Sequence, residues 1–230
     1  TTMNEPDVMV YLMTGFLDSG KSQFLKFTLT QDYFQIDGTT LLILCEEGEE
    51  EFDPLEMAKH GVKIIKIEEQ EELTEAFLNE LHEKYSPERV VIEYNGMWKV
   101  SDFEALNLPE GWEIEQKLTT VDASTFQMYL NNLKPLFVEM VRGAELVLFN
   151  RCTDIEPLAG YRRSVKVVSP QAEVIFEDEN GEIENIFGDD VPYDLNAPVI
   201  EIPREDYGIW YIDMQEHPER YKGKVVEFVA

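Results

Sequence analysis

Apolar runs, each ending in a polar or charged cluster and followed by an amphipathic stretch, set the organisation of this chain. Residues 8–13, 41–44, 90–92 and 146–149 are continuously apolar, the mark of strands covered on both faces of a parallel sheet. Residues 62–67 alternate apolar with basic positions, which predicts a strand nearer the sheet edge. A further strand is expected at 113–121, and the segments 165–168 and 172–176 continue the series. Helical patterns lie between them: 23–29, then 55–59 opened by Pro54, then 71–85 with Leu73, Ala76, Phe77 and Leu81 on one side. The longest, 126–142, has Ser124 as its expected cap and Pro135 as an expected kink or break. Strand and helix alternation of this kind predicts an α/β fold with a mostly parallel β-sheet flanked by helices over residues 1–188. Beyond it Pro192, Pro198 and Pro203 punctuate the chain, no helical period is evident, and 199–202, 209–212 and 224–229 read as strands. Residues 189–230 are therefore expected to be a small β-rich extension that completes the main sheet or opens a further domain.

The chemistry concentrates between the first strand and the first helix, at Gly15-Phe16-Leu17-Asp18-Ser19-Gly20-Lys21-Ser22. A loop with glycines at both ends can wrap its backbone N–H groups around a phosphate while the positive end of the following helix faces the same anion. Lys21 would then reach the outer phosphates and the Ser22 hydroxyl would ligate Mg²⁺, with Gln23 opening the helix beside them. This strand, loop and helix predict a P-loop NTPase core. In open parallel sheets ligands bind beyond the carboxyl ends of the strands. Gly15, Glu46, Glu93, Asp122 and Asn150 all follow predicted strand ends, so one crevice is expected to collect them. Glu93, with Gly96 three positions later, suits holding the Mg²⁺ shell or positioning water near a γ-phosphate. Asp122 reads equally as nucleotide-site support or as a cap for the helix that follows.

Composition narrows the partners. With 47 acidic against 19 basic residues, the formal net charge is −28, which repels nucleic acid and anionic lipid except at a local basic pocket. No apolar run approaches the ~20 residues that a membrane span needs, so membrane insertion is not expected. The two cysteines, Cys45 and Cys152, stand far apart near the ends of apolar runs and read as buried apolar residues of a cytoplasmic, reducing compartment. His60, His82 and His217 have no ligand spacing, and the acidic tract 46–53 reads either as a switch loop, as a carboxylate ion site or as a solvated loop.

The loop at 15–22, Glu47-Gly48-Glu49, Glu93-Tyr94-Asn95-Gly96, Asp122-Ala123 and the Asn150 segment resemble, in that order, the CobW-like P-loop GTPases over residues 8–176. The resemblance implies a Mg²⁺-dependent GTPase core in metal trafficking or cofactor maturation. It implies Lys21 on the phosphates, Mg²⁺ near Ser22, Glu47 and Glu93, switch loops at 47–49 and at Glu93 to Gly96, and Asn150 with Arg151 in the base-reading segment. Two departures qualify this. The Cys-x-Cys-Cys metal motif is absent, with Ile67-Glu68-Glu69-Gln70-Glu71-Glu72 in its region. The guanine signature Asn-Lys-x-Asp is replaced by Asn150-Arg151-Cys152-Thr153-Asp154, leaving ATP open beside GTP. The expected function is a GTP-hydrolysing switch in metal or cofactor delivery or transporter regulation, slow without a partner. The expected partners are the nucleotide, a metal ion or client metalloprotein or transporter, and a second copy of the chain. A non-hydrolysing adaptor is the alternative. A small-molecule kinase is disfavoured because no Arg-rich lid follows the core.

Overall fold

The computed structural model describes all residues except 1–6, 49, 156, 157, 185 and 187–190. Strand β1 (Val8–Thr14) leads through the glycine loop into α1 (Lys21–Leu29). Then β2 (Thr40–Leu44) precedes α2 (Pro54–Lys59), β3 (Val62–Lys66) precedes α3 (Glu75–Tyr85), and β4 (Arg89–Glu93) precedes the short α4 (Val100–Glu104). The long β5 (Trp112–Asp122) precedes α5 (Phe126–Val141), β6 (Leu146–Asn150) precedes α6 (Leu158–Lys166), and β7 (Glu173–Asp178) turns back as β8 (Gly181–Glu182). These strands form one eight-stranded sheet in the order β3-β2-β4-β1-β5-β6-β7-β8. It is parallel except for the hairpin at its β8 edge.

Helices cover both faces, which is why β2 reads Thr-Leu-Leu-Ile-Leu and is buried throughout. On one face Met13, Leu42, Leu44, Val91 and Leu118 meet Leu25 and Leu29 of α1 and Met57 of α2. On the other, Thr119 Oγ1 donates to the Met140 carbonyl at 3.1 Å, and Phe126 of α5 packs edge-on against Phe149 of β6, 5.2 Å between ring centroids. The expected interruption of α5 falls at Leu133, where φ is −130° and ψ 33°. Two residues later Pro135 lacks an N–H, and its ring excludes the carbonyl four positions back. The cap expected at Ser124 is not made. Thr125 is the first flanking residue of the helix, and Ser124 instead donates its N–H and hydroxyl to Asp122 Oδ1, at 2.9 and 2.5 Å.

The chain divides into two compact units, Thr1–Ile155 with Arg162–Ile183, and Glu156–Tyr161 with Glu184–Ala230. The boundary expected at 188/189 lies outside the described residues. The second unit holds β9 (Val199–Pro203), α7 (Tyr207–Glu216) and β10 (Val225–Val229), with β9 and β10 paired in parallel as a separate sheet.

Two sequence expectations are corrected. Residues 165–168 are not a strand: Val165 is buried in α6 and the chain turns immediately after it. Residues 209–212 are not a strand either but the middle of α7. Their aromatic and β-branched side chains favour strands, yet a parallel pair such as β9 and β10 needs a crossover between its strands, and the helix supplies it.

Candidate functional site

The glycine loop sits at the centre of the sheet because β1 lies between β4 and β5. Hydroxyl pairs fasten it to β5: Thr14 Oγ1 with Thr119 Oγ1 at 2.8 Å, and Ser19 Oγ with Thr120 Oγ1 at 2.9 Å. The Phe16 ring stacks on Tyr129 of α5, 4.4 Å between centroids and 8° from parallel. Asn150, at the end of β6, donates from Nδ2 to the Ser19 carbonyl at 2.7 Å, while its buried Oδ1 has no hydrogen-bond partner. Gly20, at φ +89°, closes the loop, and a Cβ there would lie 2.5 Å from Asn150 Nδ2. Glycine is required at this position by backbone conformation and by space together.

Lys21 and Ser22, the first residues of α1, are buried. The Lys21 ammonium donates to the Gly15 and Phe16 carbonyls at 2.6 and 2.9 Å and pairs with Glu46 Oε1 at 2.5 Å. Ser22 Oγ donates to Glu93 Oε1 at 2.9 Å. Glu93 Oε2 is buried with no hydrogen-bond partner. Burial pushes the Glu93 carboxyl up to about 7, against the pull of the Ser22 hydrogen bond and the nearby Lys21 charge, and Glu46 adds to the rise. A small open cleft is lined by Asp18, Gly20, Gln23, Gly48 and these four side chains. A hydroxyl and an orphaned carboxylate oxygen on such a cleft fit a hard divalent cation that prefers oxygen ligands. Gly96, beyond β4, donates its N–H to Glu46 Oε1 at 3.3 Å.

On the side of Asn150, Arg151 Nη1 donates to the Asp18 carbonyl and to Asp122 Oδ2, both at 2.7 Å. Asp122 thereby orients Arg151 with one oxygen and the turn before α5 with the other. Arg151 and Asp154 both adopt positive φ, 53° and 58°. The strand-end residues named from sequence are thus brought together around the loop. Glu47 and Gln23 are exposed, as is Leu17, and Glu49 lies outside the described residues. Where the cysteine motif is missing, Glu72 turns inward on its own segment and accepts from the Glu68 and Glu69 amides at 2.9 and 2.8 Å. Among the described residues no group of three or more His, Cys, Asp or Glu is placed to hold a metal ion. Cys45 and Cys152 are both free and buried, and burial raises both thiols, Cys152 to about 11. Sequence reasoning did not find Tyr129 or Thr120. Nothing in their sequence neighbourhood marks them, because Phe16 and Ser19, which they contact, lie 113 and 101 positions away along the chain.

A family model described as "CobW/HypB/UreG, nucleotide-binding domain" matches residues 9–176. Among solved structures the chain is similar to the hydrogenase maturation factor HypB from Archaeoglobus fulgidus, with 16% identity and TM-score 0.52, over 76% of this chain and 84% of that one. It is also similar to the Zn(II)-bound YjiA GTPase from E. coli, with 21% identity and TM-score 0.57, over 79% of this chain and 60% of YjiA. HypB from Helicobacter pylori in complex with nickel matches at 11% identity and TM-score 0.50, over 76% of this chain and 80% of that one. At these identities the structural matches bear on the fold alone. Among curated protein sequences, none matches this chain.

Proposed function

The chain belongs to the CobW/HypB/UreG nucleotide-binding family, and from that premise we propose that it is a Mg²⁺-dependent GTP-binding switch whose hydrolysis step drives delivery of a metal ion or cofactor, or regulates a transporter. The observation that carries this reading is the pair at the mouth of the glycine loop, Ser22 Oγ at 2.9 Å from Glu93 Oε1 with Glu93 Oε2 buried and unpartnered. Ser22 and Glu93 would hold Mg²⁺, whose positive charge would offset the negative charge of the phosphates during hydrolysis. Lys21 and the amides of residues 15–22 cradle the phosphates. In this reading Glu93 would also orient the attacking water, and Gly96 would offer its backbone N–H to the γ-phosphate. Asn150, with an unused Oδ1, and Arg151, laid along the loop at Asp18, form the base-reading side. Glu47 is assigned to the outer metal shell only through its place in the switch loop.

Metal as cargo is part of this proposal, in line with the zinc bound to YjiA and the nickel bound to HypB. A reducing cytoplasmic setting suits two free cysteines, and among the described residues no helix is long and apolar enough to cross a membrane. A client metalloprotein, a transporter or a second copy of the chain would supply what hydrolysis lacks. Arg151 is engaged with Asp122, and Arg89 is buried with its guanidinium 3.8 Å over the Phe34 ring, so both are committed to other partners. The same observation favours the second reading, an adaptor that binds nucleotide and scarcely hydrolyses it.

Calorimetric titration of GTP, GDP, ATP and ADP with Mg²⁺, on the protein and on Lys21→Ala, tests the proposal. Guanine nucleotides should bind more tightly than adenine ones, and Lys21→Ala should weaken binding by about tenfold or more, ~1.4 kcal/mol. Equal binding of the two bases removes the assignment at Asn150, and an unaffected Lys21→Ala removes the phosphate site. Phosphate release measured with and without Mg²⁺ separates switch from adaptor.

A further inference from the structure

The geometry points to Glu46 as the residue that sets the preference of this site between nucleoside triphosphate and diphosphate, by competing with the terminal phosphate for the same donors. The inference rests on the nucleotide reading above and deepens it. Glu46 Oε1 accepts from the Lys21 ammonium at 2.5 Å and from the Gly96 N–H at 3.3 Å. Those are the two groups assigned to the outer phosphates, and a carboxylate and a phosphate draw on donors in the same charge-assisted way. The pair is shielded from solvent, with side-chain exposures of 3% for Lys21 and 7% for Glu46, so its separation is not cushioned by water.

The backbone of the same loop reinforces the competition. Gly48 lies so close over Ser22 that an added Cβ would fall 1.8 Å from Ser22 Oγ and 3.4 Å from Glu93 Oε1. Residues 46–48 therefore cover the ammonium and the metal-binding hydroxyl together. Neighbouring carboxylates do not share this position: Glu47 is exposed, and Glu50 pairs with Lys26 at the surface at 3.3 Å. The β-phosphate draws chiefly on the loop amides and shares Lys21, whereas the γ-phosphate needs both Lys21 and the Gly96 N–H. The cost of moving Glu46 therefore falls more heavily on the triphosphate, and its departure links triphosphate binding to the acidic stretch that follows it.

The test is calorimetric titration with GTP and with GDP, each with Mg²⁺, on wild type, Glu46→Gln, Glu46→Ala and Lys21→Ala. Lys21 retains the Gly15 and Phe16 carbonyls in both Glu46 variants, so its ammonium keeps buried partners. Both variants should tighten GTP by about tenfold, ~1.4 kcal/mol, while GDP changes by less than about threefold. A GTP-to-GDP affinity ratio unchanged from wild type, or GTP binding that weakens, overturns the role of Glu46. In wild type, the Gly96 amide resonance should shift with GTP and not with GDP, and equal shifts overturn it independently of any variant. Wild type that binds neither nucleotide, or Lys21→Ala that binds as well as wild type, defeats the nucleotide reading instead.

Discussion

Gly20 and Glu93 show how much single residues decide here. Gly20 combines φ +89° with a neighbour 2.5 Å from where a Cβ would stand, so Gly20→Ala should destabilise the protein by about 1–3 kcal/mol, read from denaturant unfolding. Glu93 is raised to about 7 from an ordinary carboxyl value of 4.5, so the folded protein binds its proton more tightly than the unfolded chain does. The stabilisation from that proton is complete below the unfolded value and is lost as pH rises through about 7. Glu93→Gln, fixed in the uncharged form, should flatten the fall in stability over that window, checked by denaturant midpoints at stepped pH. Lys21, Ser22 and Glu93 were legible in the sequence because loop, helix start and strand end are local patterns. The partnership of Lys21 with Glu46 was not, since Glu46 and Glu47 are alike in composition and only the path of the loop turns one inward and the other out.

Among the elements, the central strands were legible because burial on both faces leaves a continuous apolar run. The break in α5 was legible because proline acts locally, whereas α4, only five residues long, carries too little periodicity to be read. The helix α7 was masked by strand-favouring residues. It is tied to the turn after it by Asp213, which accepts from Tyr221 Oη at 2.7 Å and from Arg220 Nη1 at 2.9 Å. Tyr193 Oη lies 2.6 Å from Tyr221 Oη and extends this network. Tyr221→Phe should cost the second unit about 1–2 kcal/mol, since it removes these hydrogen bonds and leaves partners unsatisfied, with hydrogen exchange across α7 as the measurement.

For the molecule as a whole, the order β4-β1-β5 is what assembles the cleft, and pairing between strands about 80 to 100 positions apart leaves no mark in a single sequence, by the register Met9 with Arg89 and with Glu113. The net charge of −28 opposes the approach of an anionic nucleotide at long range. Association with GTP should accordingly quicken as salt rises from about 10 mM to 150 mM, as the Debye length falls from about 30 to 8 Å, in stopped-flow measurements. The face-to-face contact of Phe16 with Tyr129 has a practical consequence. Two chromophores on separate elements, held 8° from parallel, give a circular-dichroism signal in the near ultraviolet whose strength follows their mutual angle. A ligand in the cradle that turns Phe16 against Tyr129 should therefore change the near-ultraviolet signal of the unlabelled protein.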